Sequence, residues 1–310
     1  MNVTLSSPRL ITLFGGLFLS ALIWLSVGPR PALPDAVVHR RLTPPLGLSG
    51  EAYIVRLSGD AAPLMAQRSW KHMAPASLTK IMTAFIARQV LAPDEKIVFS
   101  PEAKAVEEHR SDAAAGEIFL RDDAARMALM ESANDAALAL AEAVGAKSGK
   151  MGFAERIAFF VRLMNERATA LAMRDTHFEN SVGLDAPGHA MSAEDIARLA
   201  DAVLARDPAL FAATRERETV VFSLQSKKHT IVSTDELLKE FPALAGGKTG
   251  FTDHAKGALL LLYPVRDKAG DSAAPQAPPR EKIAVIVILK SEDRFGDGRK
   301  IITWLENNFP

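Results

Sequence analysis

The chain has 310 residues, of which 48% are apolar and 24% are charged, a composition typical of a globular protein with a large core. It contains no cysteine, which excludes disulfides, thiolate metal sites and a cysteine nucleophile. The 37 basic and 37 acidic side chains cancel, so no excess of charge favours nucleic acid as a partner.

The N-terminus carries an uncharged apolar segment. Residues Leu10–Val27 hold no charge and lie at the short end of what spans a bilayer. We predict a signal-anchor helix within residues 1–30; the alternative is a signal peptide that is removed on export. An anchor is favoured for two reasons: the apolar run is longer than the hydrophobic region of a typical signal peptide, and Gly28-Pro29 does not fit a signal-peptide cleavage site. The proline-rich residues 31–49 are predicted to form an extended spacer.

The folded part is predicted to begin near residue 50. Ala52–Leu57 has the composition of a strand, and residues 63–66 have that of a short return strand. A helix is predicted to begin at Pro75–Ser77 and to stop by Leu91, ahead of a proline.

The middle of the chain and its last third differ in the spacing of their apolar residues. Residues 101–205 are rich in alanine and repeat apolar positions at helical spacing, which predicts several packed helices. Strands follow, and the last two are apolar on both faces, as in sheet strands covered by helices. The predicted strands are 218–222, 229–232, 258–263 and 283–289. A surface insertion is predicted between the last two strands, over residues 267–279, and a final helix over residues 298–308. This order predicts an α/β (α+β) fold, with one sheet built from both chain ends and an inserted helical lobe.

Ser77 and Lys80 are a candidate nucleophile and base. A serine and a lysine three residues apart at a helix start share one face of that helix. A serine hydroxyl needs a neighbouring base, and a lysine serves as one only when burial or nearby cations lower its pKa. Alone, the pair is more simply interpreted as a helix cap followed by a solvated lysine.

Two further short stretches contain residues suited to binding a substrate. Ser132-Ala133-Asn134 separates two predicted helices, where serine and asparagine are also good caps. A second stretch, before a predicted strand, is Gly246-Gly247-Lys248-Thr249-Gly250. Its glycines let the backbone lie close to a ligand, while its lysine and threonine offer a cation and a hydroxyl to an anion. Each stretch by itself is equally consistent with a turn.

The combination and order of these three stretches resemble the penicillin-recognising serine enzymes. The local sequence is most similar to the D-alanyl-D-alanine carboxypeptidases of serine peptidase family S11, the low-molecular-mass penicillin-binding proteins. The similar stretches are Pro75–Ala84, Ser132–Ala137, Thr176–Leu184 and Gly247–Thr252. The resemblance implies a β-lactamase/transpeptidase-like fold, in which an antiparallel sheet is flanked by helices.

The resemblance also implies a role for each motif residue. Ser77 would attack the carbonyl between two D-alanines, Lys80 would take its proton, and Ser132 would pass a proton to the leaving D-alanine. The implied substrate-binding residues are Asn134 for the substrate amide, Lys248 for the electrostatics, Thr249 for the terminal carboxylate, and Gly250 and Phe251. The backbone N–H groups of Ser77 and Phe251 would form the oxyanion hole. No cofactor or metal is implied.

Partners and location follow from the same resemblance. The expected substrates are peptidoglycan stem peptides, and β-lactams are expected to act as covalent inhibitors. The catalytic domain, residues 50–310, is expected outside the cytoplasm, held at the membrane by residues 1–30 or secreted after their cleavage.

Two departures from the family pattern bear on substrate preference. Phe251 stands where many family members have histidine. The chain is also expected to lack the C-terminal β-rich domain of many relatives, a property shared with D,D-endopeptidases that cut crosslinks. Carboxypeptidase and endopeptidase activity therefore both stay open, with the former as the main prediction.

Other classes of protein fit less well. A serine β-lactamase of the commonest class needs a Glu-x-x-x-Asn pattern, and none follows Asn134. A non-catalytic wall-binding protein is expected to have lost a motif residue, and all are present. A zinc peptidase needs closely spaced histidines, which the sequence lacks. The run Lys227-Lys228-His229 is predicted to be a solvated strand edge.

Overall fold

A computed structural model of the chain describes residues 47–149, 151–267 and 280–309. The predicted N-terminal helix and most of the spacer lie outside these residues, as does all but the first residue of the predicted insertion. Among the residues that are described, no helix is long and apolar enough to cross a membrane.

Three strands, Lys96–Val98, Ile118–Leu120 and Gly246–Thr252, are not predicted from the sequence, because two have only three residues and the third is rich in glycine. The other strands of the described residues follow the predicted order, and all nine are numbered along the chain. In chain order they are β1 (Ala52–Leu57), β2 (Met65–Gln67), β3 (Lys96–Val98), β4 (Ile118–Leu120), β5 (Glu218–Phe222), β6 (Lys228–Val232), β7 (Gly246–Thr252), β8 (Lys256–Asp267) and β9 (Arg280–Ser291). Strands β8 and β9 are longer than predicted because their hydrogen-bonded ladder continues past the apolar core, for example at Arg266 opposite Glu281.

The helices fill the interval between β2 and β5, with one more at the C-terminus. They are α1 (Thr79–Val90), α2 (Pro101–Lys104), α3 (Arg121–Leu129), α4 (Asn134–Ala146), α5 (Phe153–Ala170), α6 (Ala193–Arg206), α7 (Ala209–Ala212) and α8 (Arg294–Asn308). Helix α8 begins earlier than predicted because Asp293 caps it, accepting a hydrogen bond of 2.8 Å from the Gly296 N–H.

The central sheet joins the two ends of the chain. Its order is β2-β1-β9-β8-β7, and every neighbouring pair is antiparallel. The first strand lies beside the last, with Ile54 opposite Val287. The predicted α+β architecture is therefore confirmed, and β7 lies at one edge of this sheet, where its outer side is open to a ligand.

Strand β8 shows why both faces of the sheet are apolar. Leu260 and Leu262 belong to the core shared with the helical lobe, whereas Leu259 and Leu261 belong to the core under α8. Successive side chains of a strand point to opposite faces, so one unbroken leucine run serves both cores.

Close helix packing builds the lobe that holds one wall of the cleft. Helices α4 and α5 approach so closely at Gly145 that a Cβ there would lie 2.4 Å from the Arg156 carbonyl oxygen. The alanine content of α4 serves the same purpose, since Ala136, Ala137 and Ala141 are fully buried.

In the hairpin of β5 and β6, the prediction that His229 lies on a solvated strand edge is wrong. The sequence places His229 on a solvated edge, but its side chain is 1% exposed. Its Nδ1 and Nε2 lie 2.5 and 2.7 Å from carboxylate oxygens of Asp112 and Glu117. His229 shares the inward face of β6 with Ile231, and only Lys228 of the run points outward on that strand.

Candidate active site

Ser77, the predicted nucleophile, lies in a strained turn before α1. The sequence predicts a helix from Pro75, but Ala76–Leu78 forms a 3-10 turn and the α-helix begins at Thr79. Ala76 has a φ of 48°, in the left-handed region that non-glycine residues rarely adopt. This turn leaves Ser77 partly exposed while the residues on either side are buried.

Glycine at position 183 makes room for this turn. Gly183 has a φ of 90°, and a Cβ added there would lie 1.9 Å from the Ala76 carbonyl oxygen. No other residue type fits without moving the nucleophile turn, because both the backbone angle and the space exclude a side chain.

A buried histidine supports the same turn from below. Thr79 Oγ1 donates to the Ala76 carbonyl oxygen at 2.9 Å, and His189 Nε2 lies 2.9 Å from Thr79 Oγ1. His189 Nδ1 accepts from the Glu179 N–H at 3.0 Å, so the hydrogen of a neutral ring is on Nε2, which donates to Thr79. Burial lowers the pKa of His189 to about 4, and the ring is therefore neutral at pH 7.

Lys80 is placed to act as the base for Ser77. Its Nζ lies 2.8 Å from Ser77 Oγ and donates to the Val182 carbonyl oxygen at 2.7 Å. The side chain is 0% exposed. Burial, and then the positive charge of Lys248, hold the pKa of Lys80 well below its usual value, although Asp135 acts in the opposite direction. A neutral amine has a lone pair that can accept the hydroxyl hydrogen.

Ser132 is hydrogen-bonded to the second buried lysine of the site, Lys248. It lies in the loop between α3 and α4 with a φ of 66° and is 6% exposed. Ser132 Oγ accepts a hydrogen bond of 2.8 Å from Lys248 Nζ. The structure thus brings together, from three distant parts of the sequence, the four residues Ser77, Lys80, Ser132 and Lys248.

Asn134 begins helix α4 and fastens the rim of the cleft. Its Nδ2 donates to the Glu107 carbonyl oxygen at 3.1 Å, and its backbone N–H donates to the His109 carbonyl oxygen at 2.7 Å. The side-chain amide nitrogen and the backbone N–H of Asn134 therefore hold the loop before β4 in place. The sequence does not predict this contact.

Strand β7 forms the other wall. Lys248 Nζ also donates to the Thr249 carbonyl oxygen at 2.8 Å, and Thr249 Oγ1 lies 2.6 Å from Thr234 Oγ1. A Cβ on Gly250 would lie 3.0 Å from the Ser77 backbone nitrogen, so glycine lets the strand approach the nucleophile turn. Burial lowers the pKa of Lys248 to about 7; Asp235 opposes this shift and Arg294 adds to it.

Phe251 and Arg294 complete the open end of this wall. The Phe251 side chain is 51% exposed, and the Arg294 guanidinium lies 5.8 Å from its ring centroid. Sequence reasoning missed Arg294, as it missed Thr234 and Asp235, because no local motif marks them. They reach the site only through the packing of α8 and the segment after β6 against β7.

The fold is that of two proteins of known structure, a DD-transpeptidase and a D-alanyl-D-alanine carboxypeptidase. The DD-transpeptidase of Streptomyces K15 aligns with a TM-score of 0.72 at 21% identity, over 86% of this chain and 99% of that chain. A D-alanyl-D-alanine carboxypeptidase from Mycobacterium tuberculosis H37Rv aligns with a TM-score of 0.69 at 22% identity, over 86% and 94% of the two chains. At these identities the likeness establishes the fold.

The family follows from the sequence comparison. The model of the D-alanyl-D-alanine carboxypeptidase family, peptidase family S11, matches residues 47–262. The chain belongs to this family, which confirms the predicted resemblance.

Curated relatives differ in how much of their length is matched. DacF of Bacillus subtilis is 32% identical over 63% of this chain and 49% of its own length, and DacD of Escherichia coli is 28% identical over 76% and 57%. Both relatives are D-alanyl-D-alanine carboxypeptidases, and this chain spans about half of the length of each. A D-alanyl-D-alanine endopeptidase of Pseudomonas aeruginosa is 25% identical over 96% of this chain and 87% of its own.

Proposed function

We propose that this chain is a serine D-alanyl-D-alanine carboxypeptidase that removes the terminal D-alanine of peptidoglycan stem peptides. The observation that carries the proposal is the distance of 2.8 Å between Lys80 Nζ and Ser77 Oγ in a site where the amine has no access to water. Because burial favours the uncharged amine, Lys80 can accept the Ser77 proton. Membership of family S11 supports the same reaction.

Acylation is the first step. Lys80 takes the proton while Ser77 Oγ attacks the carbonyl carbon between the two D-alanines. The backbone N–H groups of Ser77 and Phe251 are proposed to stabilise the oxyanion, each by about 3 kcal/mol. The close approach of Gly250 to the Ser77 nitrogen supports this pairing. The C–N bond then breaks, and the acyl group stays on Ser77.

Proton delivery to the leaving amine is assigned to Ser132. Its Oγ accepts from the Lys248 ammonium, so its own hydrogen is left to donate to the D-alanine nitrogen. Free D-alanine departs with that proton. The proton that Lys80 took from Ser77 passes to the Ser132 oxygen, which restores the neutral amine. Water next attacks the acyl ester while Lys80 accepts a proton from it; Lys80 then returns this proton to Ser77 Oγ as the ester bond breaks, and the shortened peptide is released.

Substrate binding is proposed to use both walls of the cleft. Thr249 offers a hydroxyl to the terminal carboxylate, and Lys248 and Arg294 supply positive charge beside it. Among residues 47–149, 151–267 and 280–309, no hydrogen bond engages Asn134 Oδ1, so this atom can accept the amide N–H of the substrate.

The domain organisation and location form part of the proposal. We propose a catalytic domain over residues 50–310, a spacer over 31–49, and a membrane anchor or cleaved signal within residues 1–30. The uncharged run Leu10–Val27 supports the anchor. Because the substrate is cell-wall peptide, the catalytic domain is proposed to act outside the cytoplasm, where β-lactams would acylate Ser77.

The test uses the full chain with a soluble pentapeptide ending in D-alanyl-D-alanine. We expect release of D-alanine, and labelling of the protein by a fluorescent penicillin. Ser77→Ala abolishes both, whereas Lys80→Arg replaces the uncharged amine with a permanently charged guanidinium that cannot act as a base, and it slows acylation by about 10³-fold. D-alanine release by the Ser77→Ala variant would exclude the proposed mechanism.

An endopeptidase is the second candidate, since the Pseudomonas aeruginosa endopeptidase matches this chain over nearly its whole length. The same protein is therefore incubated with a crosslinked peptide dimer. Loss of dimer without release of D-alanine from the pentapeptide would favour the endopeptidase.

A further inference from the structure

A cavity of about 430 Å³ lies next to the turn that carries the nucleophile. Its lining residues come from three segments, and each segment adjoins a part of the site. They are His72–Ala74 ahead of Ser77, Asp185–Ala190 after Gly183, and His254 after the end of β7. The volume falls within the range of about 300–1,000 Å³ that is typical of ligand sites.

The proposed binding mode directs the substrate towards this cavity. The terminal carboxylate is assigned to Thr249, and the carbonyl under attack is assigned to the N–H groups of Ser77 and Phe251. The bound peptide therefore runs along β7 in the direction from Thr249 to Thr252, as an added strand does at a sheet edge. An extended chain advances by about 3.3 Å per residue, so the third residue of the stem lies one step beyond the D-alanine that acylates Ser77, next to Thr252.

Asp185 is hydrogen-bonded to the strand at this position. Thr252 Oγ1 donates to Asp185 Oδ1 at 2.9 Å and accepts from the Ala255 N–H at 2.9 Å. The turn after β7 thus orients Thr252, and Thr252 orients the carboxylate. In the part of the chain that the structure describes, no hydrogen bond engages Asp185 Oδ2, which leaves this atom available to a ligand.

Asp185 gives the cavity its negative charge. Of the described residues that line it, Asp185 is the one carboxylate, and none is a lysine or an arginine. His189 is neutral at pH 7, because burial lowers its pKa to about 4. His72 Nε2 lies 3.1 Å from Asp175 Oδ1, so a positive charge on that ring is already matched. The cavity therefore suits a cationic group.

Two lysines line a smaller neighbouring cavity of about 140 Å³, which shares part of its lining with the first. Both pair with Glu51: Lys71 does so at close range, and Lys290 Nζ lies 3.0 Å from Glu51 Oε2. Their charge is thus matched within the protein, and neither lysine lines the larger cavity.

The stem peptide carries a group that matches this charge. Its third residue is a diamino acid, whose side-chain amine is an ammonium at neutral pH until a crosslink acylates it. The residue immediately precedes the D-alanine that acylates Ser77, so the direction of binding brings it past Thr252. There the Asp185 carboxylate can accept a charge-assisted hydrogen bond from the ammonium.

We propose that this cavity is the subsite for the third residue of the stem peptide, and that Asp185 Oδ2 binds the free ammonium of its side chain. The inference rests on the proposed function and adds a specificity to it. A stem with a free amine at its third residue is preferred over a stem whose amine is already acylated in a crosslink. Asp185 is a specificity-determining residue, since it touches the substrate away from the reacting atoms.

Two peptides that differ in this charge test the proposal. Nα-acetyl-L-lysyl-D-alanyl-D-alanine has a free side-chain amine, and the Nα,Nε-diacetyl peptide has none. We expect the full chain to release D-alanine from the first with a kcat/KM about five-fold higher, as for an exposed ion pair. Asp185→Asn keeps an acceptor for Thr252 Oγ1 but no charge, so it should hydrolyse both peptides equally well. Asp185→Lys should prefer the diacetyl peptide.

Asp253→Asn is the matched control. Asp253 is an exposed acid in the turn after β7 and does not line the cavity, so its loss changes the local net charge but leaves the subsite intact. This variant should keep the five-fold preference, and added salt should weaken that preference in the original protein. The inference is overturned if the original protein shows no preference, if Asp185→Asn retains it, or if Asp253→Asn loses it to the same extent.

Binding without turnover separates this inference from the proposed function. Isothermal titration calorimetry of the Ser77→Ala variant gives the dissociation constants of both peptides. We expect the free-amine peptide to bind about five-fold more tightly, and Asp185→Asn in the same background to remove the difference. If this difference is found but the original protein neither releases D-alanine nor is labelled by penicillin, the proposed function fails and the subsite stands. Release of D-alanine from both peptides without any preference would support the function and exclude the subsite.

Discussion

Burial of basic side chains is the dominant feature at the scale of single residues. Lys80 and Lys248 are 0% and 2% exposed, and a lysine in such surroundings gives up its proton more easily than one in water. Each amine has hydrogen-bond partners inside the cleft, so its loss of water is compensated in part. Burial likewise lowers the pKa of His189, which lies below the turn that carries Ser77.

The neutrality of His189 predicts a loss of stability in acid. Burial lowers its folded-state pKa to about 4, below the 6.5 of an unperturbed histidine, so the unfolded chain binds more protons between these values. The stabilisation is complete above pH 6.5 and is lost as the pH falls towards 4. We expect this one group to lower the free energy of unfolding by about 2 kcal/mol between pH 7 and pH 5.

Urea denaturation of the original protein and of a His189→Gln variant at both pH values measures this contribution. Glutamine retains a donor and an acceptor but does not titrate in this range. The pH-dependent loss should be smaller in the variant by about 2 kcal/mol. Equal losses in both proteins would show that His189 is not held neutral.

At the scale of elements, the site depends on close approach between backbones. Strand β7 reaches the nucleophile turn because position 250 is glycine, and the loop after α5 reaches it because position 183 is glycine. The turn itself carries strain at Ala76, of about 1–3 kcal/mol, which surrounding contacts must offset. Neighbouring elements, rather than local sequence preference, therefore hold Ser77 in position.

Gly183→Ala should destabilise the protein and misplace the nucleophile. The variant places a methyl group against the Ala76 carbonyl oxygen in addition to its unfavourable φ of 90°. The matched control is Gly59→Ala, where φ is 81° but nothing lies within 4 Å of the added Cβ. We expect the control to lose about 1–2 kcal/mol and to acylate normally.

Both variants are compared by thermal unfolding and by the rate of penicillin acylation. Gly183→Ala should lose more stability than the control and should acylate at least about ten-fold more slowly, since misplacement of reacting groups by about 1 Å has large effects on rate. Equal behaviour of the two variants would contradict the proposed contact.

At the scale of the whole described domain, one sheet separates two apolar cores. Leu260 contributes to the core under the helical lobe, and Leu261 and Leu305 contribute to the core under α8. The proposed catalytic residues lie on the lobe side and at the edge of the sheet. Since β8 and β9 supply side chains to both cores, the two layers are expected to unfold together.

Leu305→Ala tests that coupling from the side opposite the active site. The side chain is fully buried, and its truncation should cost about 2–5 kcal/mol. Val232→Ala, at a residue that is 54% exposed, should change stability by less than about 0.5 kcal/mol. In urea, circular dichroism and penicillin labelling should report one shared transition at a lower midpoint for Leu305→Ala. Two separate transitions would show that the layers unfold independently.

The sequence by itself determined the three motifs and most of the order of strands and helices, but not the strands β3, β4 and β7. Alternation and helical spacing are local properties, so β1, β8 and the alanine-rich helices could be predicted from short windows. The motif around Ser77 and Lys80 could likewise be recognised, because its meaning is carried by a few adjacent residues.

Only the tertiary structure decided which distant groups meet. The left-handed turn at Ala76, the burial of His229, and the burial of Lys248 beside Ser132 all arise from contacts between elements far apart in the chain. Burial and mutual repulsion, which set the protonation of the two lysines, depend on distances in space and on exclusion of water, and neither quantity is a property of a short stretch of sequence.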